Sequence, residues 1–128
     1  MKNCKIIIKS QGDGWTDDKR ILGTIDEKDG VYTLSYILDG DKCLLKIYPS
    51  KVEQKREGEL NINVQFINQT KTQCQINSMG LVGGYSIFTK EIIFNCQKAG
   101  CSLTLIYLSG DDKEQIKLTL TAIYTEKI

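Results

Sequence analysis

Apolar side chains return at every second residue from one end of this 128-residue chain to the other, and helical spacing is nearly absent. That period is the signature of antiparallel strands buried on one face and wetted on the other. Leu60-Asn-Ile-Asn-Val-Gln-Phe66 is the cleanest case: Leu60, Ile62, Val64 and Phe66 share one face, and Asn61, Asn63 and Gln65 share the other. The same reading puts Cys101, Leu103, Leu105 and Tyr107 on one face of a late strand, and Ile116, Leu118, Leu120, Ala122 and Tyr124 on one face of the last. A slip of one residue would drive the polar neighbours inside, so Leu60, Ile62, Val64 and Phe66 are expected to be buried together.

Short turn signals separate the runs: Lys28-Asp29-Gly30, Asp39-Gly40-Asp41, Pro49-Ser50, Glu57-Gly58, Ala99-Gly100 and Ser109-Gly110-Asp111-Asp112. Their spacing, mostly about eight to twelve residues, is what consecutive hairpins require. Strand candidates fall near residues 3–10, 19–27, 31–38, 42–48, 51–57, 60–68, 70–77, 81–89, 91–98, 101–108 and 115–125, with room for adjacent pairs to form one long bent strand. No linker or repeat divides residues 1–128, so one all-β domain is expected, with roughly two-thirds of its unfolded surface buried. A meander this long has two unpaired edges unless it closes, and closure removes the aggregation hazard of open edges. A closed antiparallel barrel is the expected architecture. A barrel of about eight strands is either packed by its own side chains or holds one small ligand.

Composition excludes several function classes. Seventeen lysines and arginines stand against sixteen aspartates and glutamates, a net charge of +1, which builds no field for nucleic acid or an anionic membrane. The opening MKNCKIIIKS carries only three consecutive isoleucines between lysines, too short for a signal core or a membrane span, so a cytoplasmic chain is expected. Cys4, Cys43, Cys74, Cys96 and Cys101 form an odd set with wide, unpatterned gaps, which predicts five reduced thiols rather than a disulfide framework. Cys96 and Cys101, on either side of Gly100's turn, have the spacing to face each other over a hairpin, but two thiols without histidine partners make a poor zinc site. Histidine is absent altogether, which removes Ser-His and Cys-His nucleophile pairs, His-ligated zinc and the commonest general base. Neither a metal nor a cofactor is expected, and no catalytic residue.

Information lies where the alternation breaks. Lys51-Val-Glu-Gln-Lys-Arg-Glu57 has no apolar face; if Val52 points inward, so do Gln54 and Arg56, and a buried guanidinium needs a carboxylate or several acceptors. Charged residues are seldom buried, so the preferred reading makes Val52–Glu57 an exposed hairpin tip beyond the barrel wall. In Met79-Gly80-Leu81-Val82-Gly83-Gly84-Tyr85 the glycines mark a bend or a close approach, with Tyr85 just past it; bending is the preferred role. Gln11-Gly-Asp-Gly-Trp-Thr-Asp-Asp18 lacks calcium-loop spacing and reads as a solvated connection, with Trp15 as either a lid or a plug.

In Lys28-Asp-Gly-Val-Tyr-Thr-Leu-Ser-Tyr36 a turn signal precedes a strand in which Tyr32, Leu34 and Tyr36 face inward and Thr33 and Ser35 face solvent. This segment, with Gly23, Leu45-Lys46-Ile47, Arg56-Glu57-Gly58, Phe66, Gly80, Thr89 and Tyr107-Leu108, resembles the DUF1934 or YwiB-like family of small bacterial proteins over nearly the whole chain. Where that family tends to carry Thr-Pro-Tyr-Gly, Asn77-Ser78-Met79-Gly80 keeps only the glycine. The resemblance implies a calycin- or lipocalin-like barrel, a class whose lumen often takes small apolar molecules. It implies no particular ligand or reaction.

Three functions compete. The leading expectation is a non-enzymatic binding module whose lumen, lined by Tyr32, Tyr36, Gln54, Arg56, Phe66, Tyr85 and Tyr107, takes a small, mostly apolar molecule. An inward tyrosine hydroxyl needs a partner, and Arg56 or Gln54 is the available polar group. The alternative is an interaction or homodimeric module with a packed core, using an outer face such as Leu44, Lys46 and Tyr48. A carboxylate enzyme on Asp39, Asp41, Asp111 and Asp112 ranks last, because nothing places two of them around a cavity.

Overall fold

The computed structural model describes residues 1–110 and 114–125. Every regular element among them is a strand: β1 Lys2–Gly12, β2 Trp15–Lys28, β3 Val31–Leu38, β4 Asp41–Ile47, β5 Lys51–Glu57, β6 Leu60–Ile67, β7 Thr70–Ser78, β8 Leu81–Gln97, β9 Gly100–Ser109 and β10 Glu114–Tyr124. Each pairs antiparallel with its chain neighbours, and β1 pairs with β10, setting Ile6 opposite Ala122, so the meander closes into a barrel. The all-β barrel read from the alternation is the fold observed.

Local chemistry places the turns. Asp29-Gly30, Asp39-Gly40 and Met79-Gly80 hold both central residues at positive φ, between 51° and 84°. This is the mark of type I′ hairpins, whose twist matches the strands they join. Because the strands alternate in direction, the turns after β1, β3, β5, β7 and β9 gather at one end of the barrel. Those after β2, β4, β6 and β8 gather at the other.

The inward positions form one core, in which Ile6, Leu34, Val52, Leu103, Leu105 and Ala122 are almost wholly excluded from solvent. Val64 and Phe66 are buried as expected; Leu60 and Ile62 share their face but approach the open end and are half-buried. Leu34 and Tyr36 are buried and Tyr32 packs against the same core, while Thr33 and Ser35 stand half-exposed on the wall.

Several expectations are corrected. Lys51–Glu57 is no exposed tip: β5 pairs with β4 on one side and β6 on the other, Val52 is fully buried, and Gln54 and Arg56 face inward with it. The candidates 81–89 and 91–98 are one long strand, as the sequence allowed, but its irregularity falls between Thr89 and Glu91, where Lys90 drops out of register, and not at the glycines. The ladder runs without a shift through Gly83 and Gly84. Gly84 instead allows a close approach, since a Cβ there would collide with the carbonyl of Cys74. Gln11–Asp18 is a hairpin of β1 and β2 rather than a loose connection, and Trp15 lies beside its turn, opposite Gly12, 40% exposed, with its indole N–H donating to Glu114 Oε2 at 2.7 Å. The five-thiol reading fails at one pair. Register sets Cys96 directly opposite Cys101, and the two are joined in a disulfide, leaving Cys4, Cys43 and Cys74 free and buried.

Candidate functional site

The barrel end that carries the β3–β4, β5–β6 and β7–β8 turns holds an inward-facing charged pair. Arg56 Nε donates to Asp41 Oδ2 at 2.8 Å, and Nη2 reaches the Leu38 carbonyl at 3.5 Å. Asp41 also accepts from the backbone N–H of Glu59 at 3.0 Å and of Leu60 at 3.4 Å, so one carboxylate ties β4 to β5 and to the start of β6. These contacts, the Arg56 bond foremost, hold the Asp41 carboxyl below its ordinary pKa despite its burial. Gly58 makes room for the arrangement, because a Cβ at that position would occupy the space of the Asp41 carboxylate. The turn is closed from outside by Asn61, which accepts from Gly58 N–H and donates to the Gly58 carbonyl, both at 3.2 Å.

Arg56 keeps a wet side. Its side chain is 16% exposed and borders a cleft of about 820 Å³ lined by residues of β5, β6, β7 and β8. Ile62, Cys74 and Ile76 supply its inward apolar wall, Gly83 and Gly84 leave one side without side chains, and Asn63, Gln75 and Asn77 alternate with that wall on the outer face of β6 and β7. Gln54, one step deeper on β5 and half-buried, is opposite Leu45 and Val64.

The expected lining residues fall into separate groups. Tyr36 is buried near Arg56 and Cys43; burial pushes its hydroxyl up to about 12 although the guanidinium opposes this. Tyr85 and Tyr107 stand on β8 and β9, and both are likewise pushed up to about 12 by burial. Tyr85 lies beside Cys74 and Ser109 but is 39% exposed, whereas Tyr107 packs on Phe66 with ring centroids 5.1 Å apart. Tyr32 lies toward the opposite end, edge-on to Phe94 at 5.0 Å. Arg56 is therefore partnered by a carboxylate and a carbonyl, not by the tyrosine hydroxyls the sequence suggested. The sequence named Asp41 only as a loop carboxylate and missed it as the partner of Arg56, although a signal existed: it shares parity with Cys43, Leu45 and Ile47, the inward face of β4. Asp39 sits in a type I′ turn, and Asp111 and Asp112 lie outside the described residues.

The wall outside β2–β5 carries a second hollow. Leu22, Ile37 and Leu44 line a groove of about 480 Å³ with Lys42, Lys55 and Glu57 at its margin, and Leu22 and Ile37 are 73% and 54% exposed.

Residues 4–123 match the model of DUF1934, a domain of unknown function. The chain belongs to the DUF1934 family. Among solved structures, the ywiB protein from Bacillus subtilis is similar at 19% identity with a TM-score of 0.87, over 98% of this chain and 93% of that one. At that identity the likeness speaks for the barrel alone. No curated protein matches the chain. For this DUF1934 chain, the site must therefore be argued from its own residues.

Proposed function

We propose that this DUF1934 protein is a non-enzymatic binding module that takes a small, mostly apolar molecule with an anionic group in the cleft beside Arg56. The observation that carries the reading is the placement of Arg56: an inward guanidinium, fixed at Nε by Asp41, with its outer edge on a cleft walled by Ile62 and Ile76. A planar fork held from behind is pre-organised for a carboxylate, so little side-chain entropy is lost on binding. Asp41 offsets much of the positive charge, which points to modest affinity with the apolar body of the ligand supplying the rest.

The test is thermal stabilisation by a panel of alkyl and aryl carboxylates, compared between wild type and two variants. Arg56→Ala removes the fork, and Gly83→Leu fills the cleft, since a Cβ at Gly83 meets nothing within 4 Å. Loss of the ligand-induced shift in both variants is expected. A panel without effect on wild type, or a shift that persists in both variants, refutes the reading.

The outer groove favours a second reading, an assembly module. Exposed Leu22 and Ile37 beside Leu44 form an apolar strip of the kind that marks contact surfaces. Sedimentation of wild type against Leu22→Asp separates the two readings: a dimer that dissociates in the variant supports assembly, and a monomer throughout removes it.

A further inference from the structure

At the barrel end opposite Arg56, the turn between β8 and β9 carries the Cys96–Cys101 bond. The fold has little need of it. Cys96 and Cys101 are only five residues apart and already face each other in the β8–β9 ladder, with Gln97 paired to Gly100 inside them. A crosslink across so short a loop removes little freedom from the unfolded chain. The turn is also anchored from outside, by the Tyr124 N–H donating to the Ala99 carbonyl at 2.9 Å and by the fit of Gly100 against the Ala122 carbonyl.

The two sulfurs differ in their surroundings. Cys96 is exposed, whereas Cys101 is buried and accepts a hydrogen bond from the Tyr124 hydroxyl at 3.3 Å. Lys2 places its ammonium 4.4 Å from the centroid of the same tyrosine ring, adding positive potential on that side. One sulfur is thus open to attack, and the other has a donor ready for the charge that develops when the bond breaks.

We propose that Cys96–Cys101 is a thiol–disulfide exchange site for dithiol reductants, with Cys96 the attacked sulfur and Cys101 the leaving thiolate held by Tyr124. A thiolate of the reductant attacks Cys96 Sγ, the Cys96–Cys101 bond breaks, and its electron pair leaves on Cys101 Sγ toward the Tyr124 hydroxyl. The reductant's second thiolate then attacks its own sulfur in the mixed disulfide, closing the reductant to a cyclic disulfide and releasing Cys96 as a thiolate. The two protons lost by the dithiol return to Cys96 and Cys101, so the reductant loses two electrons and the protein bond gains them. The barrel keeps the two cysteines opposed, with Cα atoms 4.1 Å apart, so oxidation restores the same bond.

The experiment treats the folded full chain with dithiothreitol, quenches with an alkylating reagent, and maps labels by mass spectrometry. A label on exposed Cys96 and an opened bond to Cys101 are expected while buried Cys4, Cys43 and Cys74 stay unlabelled, and removal of the reductant with mild oxidation should return the unlabelled state. Tyr124→Phe is expected to slow reduction about tenfold, because a hydrogen bond to a developing thiolate is of the stronger, charge-assisted kind. In Cys101→Ser, glutathione disulfide should place a mixed disulfide on Cys96. A bond that opens only after denaturation, a Tyr124→Phe rate within twofold of wild type, or preferential adduct formation at Cys101 in Cys96→Ser overturns the proposal.

Discussion

Replacing Thr89 with valine should stabilise the protein. Thr89 faces inward between Thr70 on β7 and Tyr107 on β9, its side chain is fully excluded from solvent, and its Oγ1 has no hydrogen-bond partner. A buried hydroxyl left unpaired costs about 1–3 kcal/mol, and valine keeps the branched shape while replacing the oxygen with a methyl group. Strand propensity is nearly equal for the two residues. The backbone role of the position survives, since the Thr89 carbonyl, not its side chain, accepts from Gln69 N–H at 2.7 Å. The net expectation is a gain of about 1–2 kcal/mol, or roughly 3–8 °C in Tm for a chain of this length. Urea unfolding is the assay, with an unchanged slope required so that the midpoint reports stability alone. Thr89→Ser, which keeps the hydroxyl and deletes the methyl, should fall below wild type. A Thr89→Val protein less stable than wild type would show that the hydroxyl is satisfied, and the orphan argument would be wrong.

Three further outcomes are expected. Val52→Ala should cost about 2 kcal/mol as a core truncation, whereas an exposed tip would give a change within about 0.5 kcal/mol. The Asp41 carboxyl is lowered from its usual value near 3.8, so its contribution is present above that pH and is lost as pH falls below it. Acid unfolding followed by tryptophan fluorescence should therefore be shallower in Asp41→Asn, and an identical pH profile refutes the pair's role. Tyr36, Tyr85 and Tyr107, raised to about 12, contribute stability that is intact below pH 10 and lost between pH 10 and about 12. Absorbance at about 295 nm should show ionisation continuing well above pH 10, and complete ionisation of every tyrosine near pH 10 with the fold intact contradicts the raised values.

Periodicity made the wall of the barrel readable because a sheet closed on itself gives each residue only two choices, in or out. Val64, Phe66, Leu103, Leu105 and Leu120 follow that rule. It failed for β5, where hydropathy sees two polar residues, Gln54 and Arg56, on the inward face and cannot see the carboxylate on β4 that partners Arg56. Arg56 and Asp41 are fifteen residues apart and meet only through hairpin register, which composition does not encode. The bulge at Thr89/Glu91 escaped notice for a related reason: neither residue is a glycine or proline, and a parity change is visible only when Ile87 and Ile92 are both seen to pack inward. Cleft residues such as Ile62 and Cys74 read as ordinary core, because nothing in a single strand's pattern marks where the barrel end begins.

The seam between β1 and β10 has a consequence for folding order. Each of the other nine pairings joins strands adjacent in the chain, but this one brings together residues about as far apart as the chain allows, Cys4 with Tyr124. Loop-closure entropy grows by about 0.6 kcal/mol for each doubling of length, so the seam costs roughly 3 kcal/mol more to close than a tight hairpin. Cys4, Ile6, Leu120 and Ala122, which flank that seam, are among the most deeply buried side chains in the molecule. Closure entropy therefore favours formation of the seam after the local hairpins, and the burial concentrated there keeps a ten-stranded sheet from existing as an open ribbon with two adhesive edges.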